Sequence, residues 1–273
     1  MRTAAWIAAI IVILLVGGYA FATGGTPARK PPEWLTAQKI AHRGLWTEGP
    51  ERPENSLAAF EAAAAAGFAV ELDAHLSADG EVVVVHDSEL DRMTGEDLLV
   101  EDLTVAELQE LRLLGGDETI PTLAEVLELV DGRVPVFVEI KNEGEVGALE
   151  DAVAEQLAAY EGDACVMSFN PYSLARVAEA APEIPRGQLA SRFKGEDLPW
   201  YQKLILANMA MNWTSKPDFI AYDIDALPCP GVTVQTWRGR PILGWTIDDA
   251  DELAHAEKYC DGFICNPGAL EPE

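Results

Sequence analysis

The chain predicts an α/β protein, a (β/α)8 TIM barrel with a short capping excursion, preceded by an N-terminal hydrophobic helix. Three observations point there. Short apolar runs of strand length alternate with helical stretches, the pattern of parallel strands joined by helical crossovers. Of 273 residues, about 245 remain once the apolar N-terminus is set aside, close to the roughly 250 of one such barrel. No Pro/Gly/Ser-rich linker divides those residues, so a single folded domain is expected.

The first element is the apolar run from Ala4 to Ala22, which follows a lone Arg2 and stays uncharged through Pro27. It is long enough to span a bilayer at about 20 residues, and Ala20-Phe21-Ala22 resembles a small-x-small cleavage site. Residues 1–25 are therefore expected to be a signal peptide or a signal-anchor transmembrane segment, with both open. Either places the folded domain outside the cytoplasm, membrane-anchored or exported (periplasmic or secreted). Residues 26–38, with Pro27, Pro31 and Pro32, read as a linker, and 39–273 as the folded domain.

Within that domain Lys39 to Gly44 reads as a strand. Ser56 is an N-cap for an Ala-rich helix to Ala66, ended by Gly67. Ala69 to Leu76 and Val82 to His86 are strands. Thr104 starts a helix through Leu114 with Glu107 at the capping-box position, and Thr122 starts another with Glu125. Val134 to Lys141 is a strand, Glu145 to Tyr160 a helix and Cys165 to Asn170 a strand, after which Pro171 opens a helix. Arg186 to Ala190, Phe219 to Ile224, Ile242 to Ile247 and Asp261 to Cys265 are the later strands. The stretch from Gly80 to Leu123 is the least regular and is where the capping excursion is expected.

A net charge of -27 argues against nucleic acid as a partner and against docking on anionic lipid through a basic patch. An anionic substrate would need a bound cation and a few well-placed Lys or Arg side chains. Cys260 and Cys265 lie in a strand, about 17 Å apart at ~3.3 Å per residue. A bridge needs less than about 7 Å, and the four cysteines are expected to be unpaired.

In parallel barrels the active site is built at the strand C-termini. Six such ends carry chemistry: His42-Arg43-Gly44, Glu71-Leu72-Asp73, His86-Asp87, Glu139-Ile140-Lys141, Ser168-Phe169-Asn170 and Trp245-Thr246. Residues i and i+2 of a strand share a face, so Glu71 points with Asp73 and Glu139 with Lys141. Three converging carboxylates would repel one another, and a divalent cation resolves this. Oxygen-only ligands suit Mg2+ or Ca2+. His42 and His86 end apolar runs, where imidazoles can act as general acid and base. His75, i+2 from Asp73, has two open readings, facing the site with Asp73 or lying at the surface, the second preferred; His255 is expected at the surface. Arg43 and Lys141 are candidate phosphate contacts through charge-assisted hydrogen bonds.

Further motifs extend this set in order along the chain. They are Arg52-Pro53-Glu54-Asn55-Ser56, Ser77-Ala78-Asp79-Gly80, Leu90-Asp91-Arg92-Met93-Thr94-Gly95, Ile120-Pro121-Thr122-Leu123, Gly244-Trp245-Thr246-Ile247 and Asp261-Gly262-Phe263-Ile264-Cys265-Asn266-Pro267. Over about residues 39–270 the chain resembles the glycerophosphodiester phosphodiesterase family. The resemblance implies hydrolysis of glycerophosphodiesters to sn-glycerol 3-phosphate and an alcohol, with one divalent cation, Mg2+ or Ca2+. The family's metal ligands fall on Glu71, Asp73 and Glu139, and its acid/base histidines on His42 and His86. Arg43 and Lys141 match phosphate-binding positions, Glu54 and Asn55 supporting ones, and Phe169 and Trp245 the apolar substrate side. Ser56 stands where Thr is common and Asp248 where Asn is common.

The short stretch between Asp73 and Glu139 implies a small cap and a mouth open to larger or lipid-like substrates. The implied partner is a small-molecule glycerophosphodiester or lysophospholipid, with the membrane added through the N-terminal segment if it is uncleaved. The rivals are a lysophospholipase D-like or phosphatidylinositol-cleaving phosphodiesterase on the same barrel, and a catalytically silent, membrane-tethered binding protein. Every motif residue being present argues against the last.

Overall fold

Every second residue of the apolar runs faces a closed barrel interior in the computed structural model, which describes residues 2–25, 27, 29–142 and 144–270. The strands are β1 (Ile40–Ala41), β2 (Ala69–Leu76), β3 (Val82–Val84), β4 (Val136–Ile140), β5 (Ala164–Ser168), β6 (Arg186–Ala190), β7 (Phe219–Asp223), β8 (Ile242–Ile247) and β9 (Gly262–Cys265). All but β3 run parallel in the ring. β1 closes it by pairing with β2 on one side and β9 on the other, Ile40 lying opposite both Ala69 and Ile264.

Ile40, Ala69, Phe137, Met167, Leu189 and Phe219 pack together inside. The alternate residues Ala41, Val70, Leu72, Val136, Val138 and Val166 pack outward against the helices. The same period of two fixes the site: in phase with Ala69 come Glu71 and Asp73, and in phase with Phe137 comes Glu139.

The expected helix caps form. Ser56 Oγ accepts from Ala59 N at 3.2 Å, and Gly67 ends that helix in the left-handed region. The boxes of Thr104 with Glu107 and Thr122 with Glu125 both close. The helix begun at Thr104, expected to reach Leu114, stops at Leu108. Leu108 and Leu113 are both buried in the excursion's own core with Val83, Leu90 and Ile120. Residues five apart lie on nearly opposite faces of an α-helix, so the chain must break to bury both.

Two strand expectations are corrected. The run Lys39 to Gly44 keeps only Ile40–Ala41 as strand, because Arg43 and Gly44 turn with φ of 57° and 81°. The run Val82 to His86 shortens to Val82–Val84 and pairs antiparallel with β2, so it roots the excursion and is not a barrel stave.

The turn at Gly44 carries the first prediction. A Cβ there would meet the carbonyl carbon of Ala59 at 2.8 Å in a backbone conformation that L residues rarely adopt. Gly44→Ala is expected to destabilise the fold by roughly 2–3 kcal/mol. Thermal or denaturant melting checks this, and an unchanged midpoint would show that the turn yields freely.

Two described residues of the expected linker serve the barrel. Leu35 is fully buried in its interior cluster, and Arg29 pairs with Asp218 at 2.7 Å. Before them, the helix Arg2–Ala22 ends on the barrel: Phe21 stacks on Trp213, and Arg238 Nη1 donates to the carbonyl of buried Thr23 at 2.7 Å. Among the described residues no helix is long and apolar enough to cross a membrane, so the expected membrane-targeting segment rests on the sequence alone. All four cysteines are free, as expected.

Candidate active site

β2 and β4 are neighbours in a register that sets Asp73 opposite Glu139. One carboxylate oxygen from each of Glu71, Asp73 and Glu139 lies within 4.8 Å of the others. All three residues are buried. Lys141 Nζ stands 2.7 Å from Glu139 Oε1 and 3.2 Å from Asp73 Oδ1, and Arg43 Nε 3.3 Å from Asp73 Oδ2. Two cations against three carboxylates leave negative charge in excess. Asp73 Oδ1, fully buried, has its ion pair with Lys141 and no aligned hydrogen bond. An all-oxygen cluster of three buried carboxylates against two cations fits a hard divalent cation such as Mg2+ or Ca2+.

The titration of the cluster follows from the same geometry. Burial, then the charges of Asp73 and Glu139, push the Glu71 carboxyl well above the usual carboxylate range. Burial also raises Glu139, which Lys141 only partly offsets. Burial alone would raise Asp73, but Lys141 and Arg43 outweigh it and hold that carboxyl low. A cation binding here competes with a proton for the raised Glu71 carboxyl. Binding is therefore expected to release protons and to weaken as pH falls. Calorimetric titration in buffers of different ionisation enthalpy checks this, and proton-neutral binding would contradict it.

Arg43 and Asn55 brace the cluster. Both adopt left-handed backbone, φ 57°, which Asn tolerates and Arg rarely does. The Arg43 N–H donates to Glu71 Oε2 at 3.0 Å, and the Asn55 N–H to the Arg43 carbonyl at 3.0 Å. Asn55 Nδ2 donates to Asp73 Oδ2 at 2.8 Å. These bonds hold a conformation that stores on the order of 1 kcal/mol. Glu54 accepts from Arg43 Nη1 at 3.0 Å and Arg92 Nη2 at 2.7 Å. Burial would raise the Glu54 carboxyl, but the two guanidinium groups hold it low.

The two histidines have different partners. His42 Nδ1 is 2.8 Å from Asn266 Oδ1, while Asn266 Nδ2 donates to Asp248 Oδ1 at 2.6 Å. That second bond fixes the amide orientation, so Nδ1 of His42 carries its hydrogen and Nε2 its lone pair. Burial, assisted by the Arg43 charge and opposed by Asp73, pushes His42 down to about 4. His86 Nδ1 is 2.6 Å from Asp87 Oδ1, and Arg92 holds the other oxygen of Asp87 at 2.5 Å. Burial lowers His86 too, with Asp73 opposing.

A pocket of about 130 Å³ joins His42, Arg43, Glu71, His86, Glu139 and Lys141 with Phe169 and Trp245. Those two rings meet edge-on at 5.6 Å. A register break in β8 between Gly244 and Ile247 sets the turn of the strand at Trp245. The sequence-predicted site residues thus converge, with Glu54, Asn55 and Asp73 behind the pocket wall.

His75, expected at the surface, is buried, its Nε2 3.1 Å from the His86 carbonyl oxygen, because the excursion covers β2. His255 is half-buried beside the Tyr259 ring. Sequence reasoning gave no role to Asn266, Asp87 or Arg92. Asn266 directly follows β9, so the strand-end rule could have found it, and Asp87 adjoins His86. Arg92 is brought in only by the excursion's fold.

Equipped this way, a barrel mouth is suited to cleaving an anionic phosphoester. The chain belongs to the glycerophosphoryl diester phosphodiesterase family, whose model matches residues 42–266. It is 37% identical over 238 residues to a glycerophosphodiester phosphodiesterase of Caldanaerobacter subterraneus subsp. tengcongensis, covering 82% of this chain and 92% of that one. Among solved structures it is similar to an Oleispira antarctica phosphodiesterase in complex with the product sn-glycerol 3-phosphate. The TM-score there is 0.71 at 27% identity, over 85% of this chain and 94% of the other. A glycerophosphodiester phosphodiesterase from Thermotoga maritima matches with TM-score 0.67 at 28% identity, over 85% and 95% of the two chains.

Proposed function

We propose that the chain hydrolyses glycerophosphodiesters to sn-glycerol 3-phosphate and an alcohol, with one divalent cation, Mg2+ or Ca2+, held by Glu71, Asp73 and Glu139. The observation that carries this is the buried carboxylate triad beside His42, His86, Arg43 and Lys141 in one pocket. When bound, the cation would neutralise charge developing on the phosphate oxygens. Arg43 and Lys141 hold those oxygens through charge-assisted hydrogen bonds.

His42, amide-backed and neutral, takes the proton from the attacking hydroxyl. His86 gives a proton to the leaving alcohol, and the Asp87 carboxylate on its Nδ1 partly offsets the burial that lowers it. Attack by the substrate's own glycerol hydroxyl yields a cyclic phosphate, which water opens with the imidazoles in exchanged roles. Phe169 and Trp245 form the apolar wall. The uncharged run from Ala4 to Ala22 supports a barrel outside the cytoplasm, tethered or exported.

The test is product identity. The full chain is incubated with glycerophosphocholine and Ca2+ or Mg2+ and followed by phosphorus NMR. Glycerol 3-phosphate with choline is expected. Glycerol with phosphocholine, or no turnover by folded protein, would overturn the reading.

A further inference from the structure

Every residue of the helix Arg2–Ala22 from Ile10 to Phe21 is exposed, although the run is apolar on all sides. A helix that is hydrophobic all round needs cover all round, and a second copy packed against it would cover one side only. The foot of this helix is seated on the barrel. Phe21 stacks on Trp213 with ring centroids 5.9 Å apart, Arg238 Nη1 donates to the Thr23 carbonyl at 2.7 Å, and Arg240 Nη1 donates to the Gly25 carbonyl at 2.7 Å. A Cβ on Gly24 would meet the Asn212 carbonyl oxygen at 2.6 Å, so the two segments are in direct contact. Arg240 shortly precedes β8, and Asp218, the partner of Arg29, directly precedes β7. The foot therefore lies at the N-terminal ends of the strands, opposite the catalytic mouth.

Two tryptophans flank the foot. Trp237, next to Arg238 in sequence, is 81% exposed, and Trp213 is 45% exposed. Indole rings favour the headgroup level of a bilayer, where an apolar body and a polar N–H are both served. Charge agrees. Neither 198–217 nor 226–247, the stretches that carry these rings, contains an Asp or Glu, although the chain has 46. In a chain of net charge -27, this face can approach lipid phosphates without local repulsion.

We propose that the barrel stands on a lipid bilayer through this foot, with Trp213 and Trp237 in the headgroup layer and the catalytic mouth turned toward water. The contact needs the helix Arg2–Ala22 to enter lipid, not to cross it. It is independent of what the mouth cleaves.

The experiment places the full chain in phosphatidylcholine vesicles whose acyl chains carry bromine near the headgroup, where it quenches nearby indole emission. The contribution of each ring is read by difference from Trp213→Phe, Trp237→Phe and Trp200→Phe, and far-UV circular dichroism checks that each variant is folded. Trp200 is the reference. It is 76% exposed and opens the helix Trp200–Ala207, whose Tyr201 shares a cavity with the mouth residues Phe169 and Trp245. Brominated lipid is expected to remove most of the emission of Trp213 and Trp237 and to leave that of Trp200 unchanged.

Trp200 quenched as strongly as Trp237 would overturn the orientation. Vesicle-bound chain with neither foot ring quenched, or chain that stays in the aqueous phase, would overturn the contact itself. A Trp237 untouched by brominated lipid and shielded from iodide only as protein concentration rises would give the foot to a second copy instead.

Discussion

Glu71→Gln is expected to lower kcat/KM on a glycerophosphodiester by about 10³-fold and to abolish the response to added Ca2+ or Mg2+. The substitution keeps the shape of the side chain and an oxygen for the Arg43 N–H, which now binds Glu71 Oε2 at 3.0 Å. It removes the negative charge that a hard cation needs. Stability should move the other way or not at all. Glu71 is buried beside Asp73 and Glu139, which push its carboxyl up, so a neutral amide there relieves repulsion. Loss of activity with an unchanged or raised melting temperature therefore separates a ligand from a structural carboxylate. An active variant with normal metal response would contradict the role given to the triad.

The second large effect divides the histidines. His42→Ala and His86→Ala are each expected to lower kcat by about 10²- to 10⁴-fold on glycerophosphocholine. They should part company on a glycerol phosphodiester with a nitrophenol leaving group, which departs without a proton. If His86 is the acid, His86→Ala recovers most of its activity on that substrate. His42→Ala stays impaired, because the attacking hydroxyl still has to lose its proton. The assignment rests on the partners: Asn266, oriented by Asp248, takes the Nδ1 hydrogen of a His42 that burial keeps neutral, whereas the Asp87 carboxylate on His86 Nδ1 partly offsets the burial that lowers it. The opposite pattern of recovery would exchange the two roles.

Much of this site was legible because strand geometry is simple. A period of two carries Glu71, Asp73 and Glu139 inward with Ala69 and Phe137, and the barrel rule puts strand-end residues such as His42 and Trp245 at one mouth. What escaped depends on contacts between distant segments. Asp248 stood out only as a departure from a common Asn. Its work, holding Asn266 for His42, joins the ends of β8 and β9 to the end of β1, more than 200 residues away in sequence. His75 looked like a surface residue because nothing in its own strand shows that the excursion will cover it. The helix begun at Thr104 looked longer because Leu108 and Leu113 are both apolar, and only their joint burial forces the break. Leu35 sat in a Pro-rich connector, yet it fills the barrel interior.

The central claim is a catalytic cation on Glu71, Asp73 and Glu139. Its most direct test is to strip the full chain of metal, titrate Ca2+ or Mg2+ back, and follow bound ion and glycerophosphocholine hydrolysis in the same samples. The account predicts that activity rises in step with a single bound ion and that Glu71→Gln weakens both together. Full activity in the stripped chain, or ion binding untouched by Glu71→Gln, would contradict it.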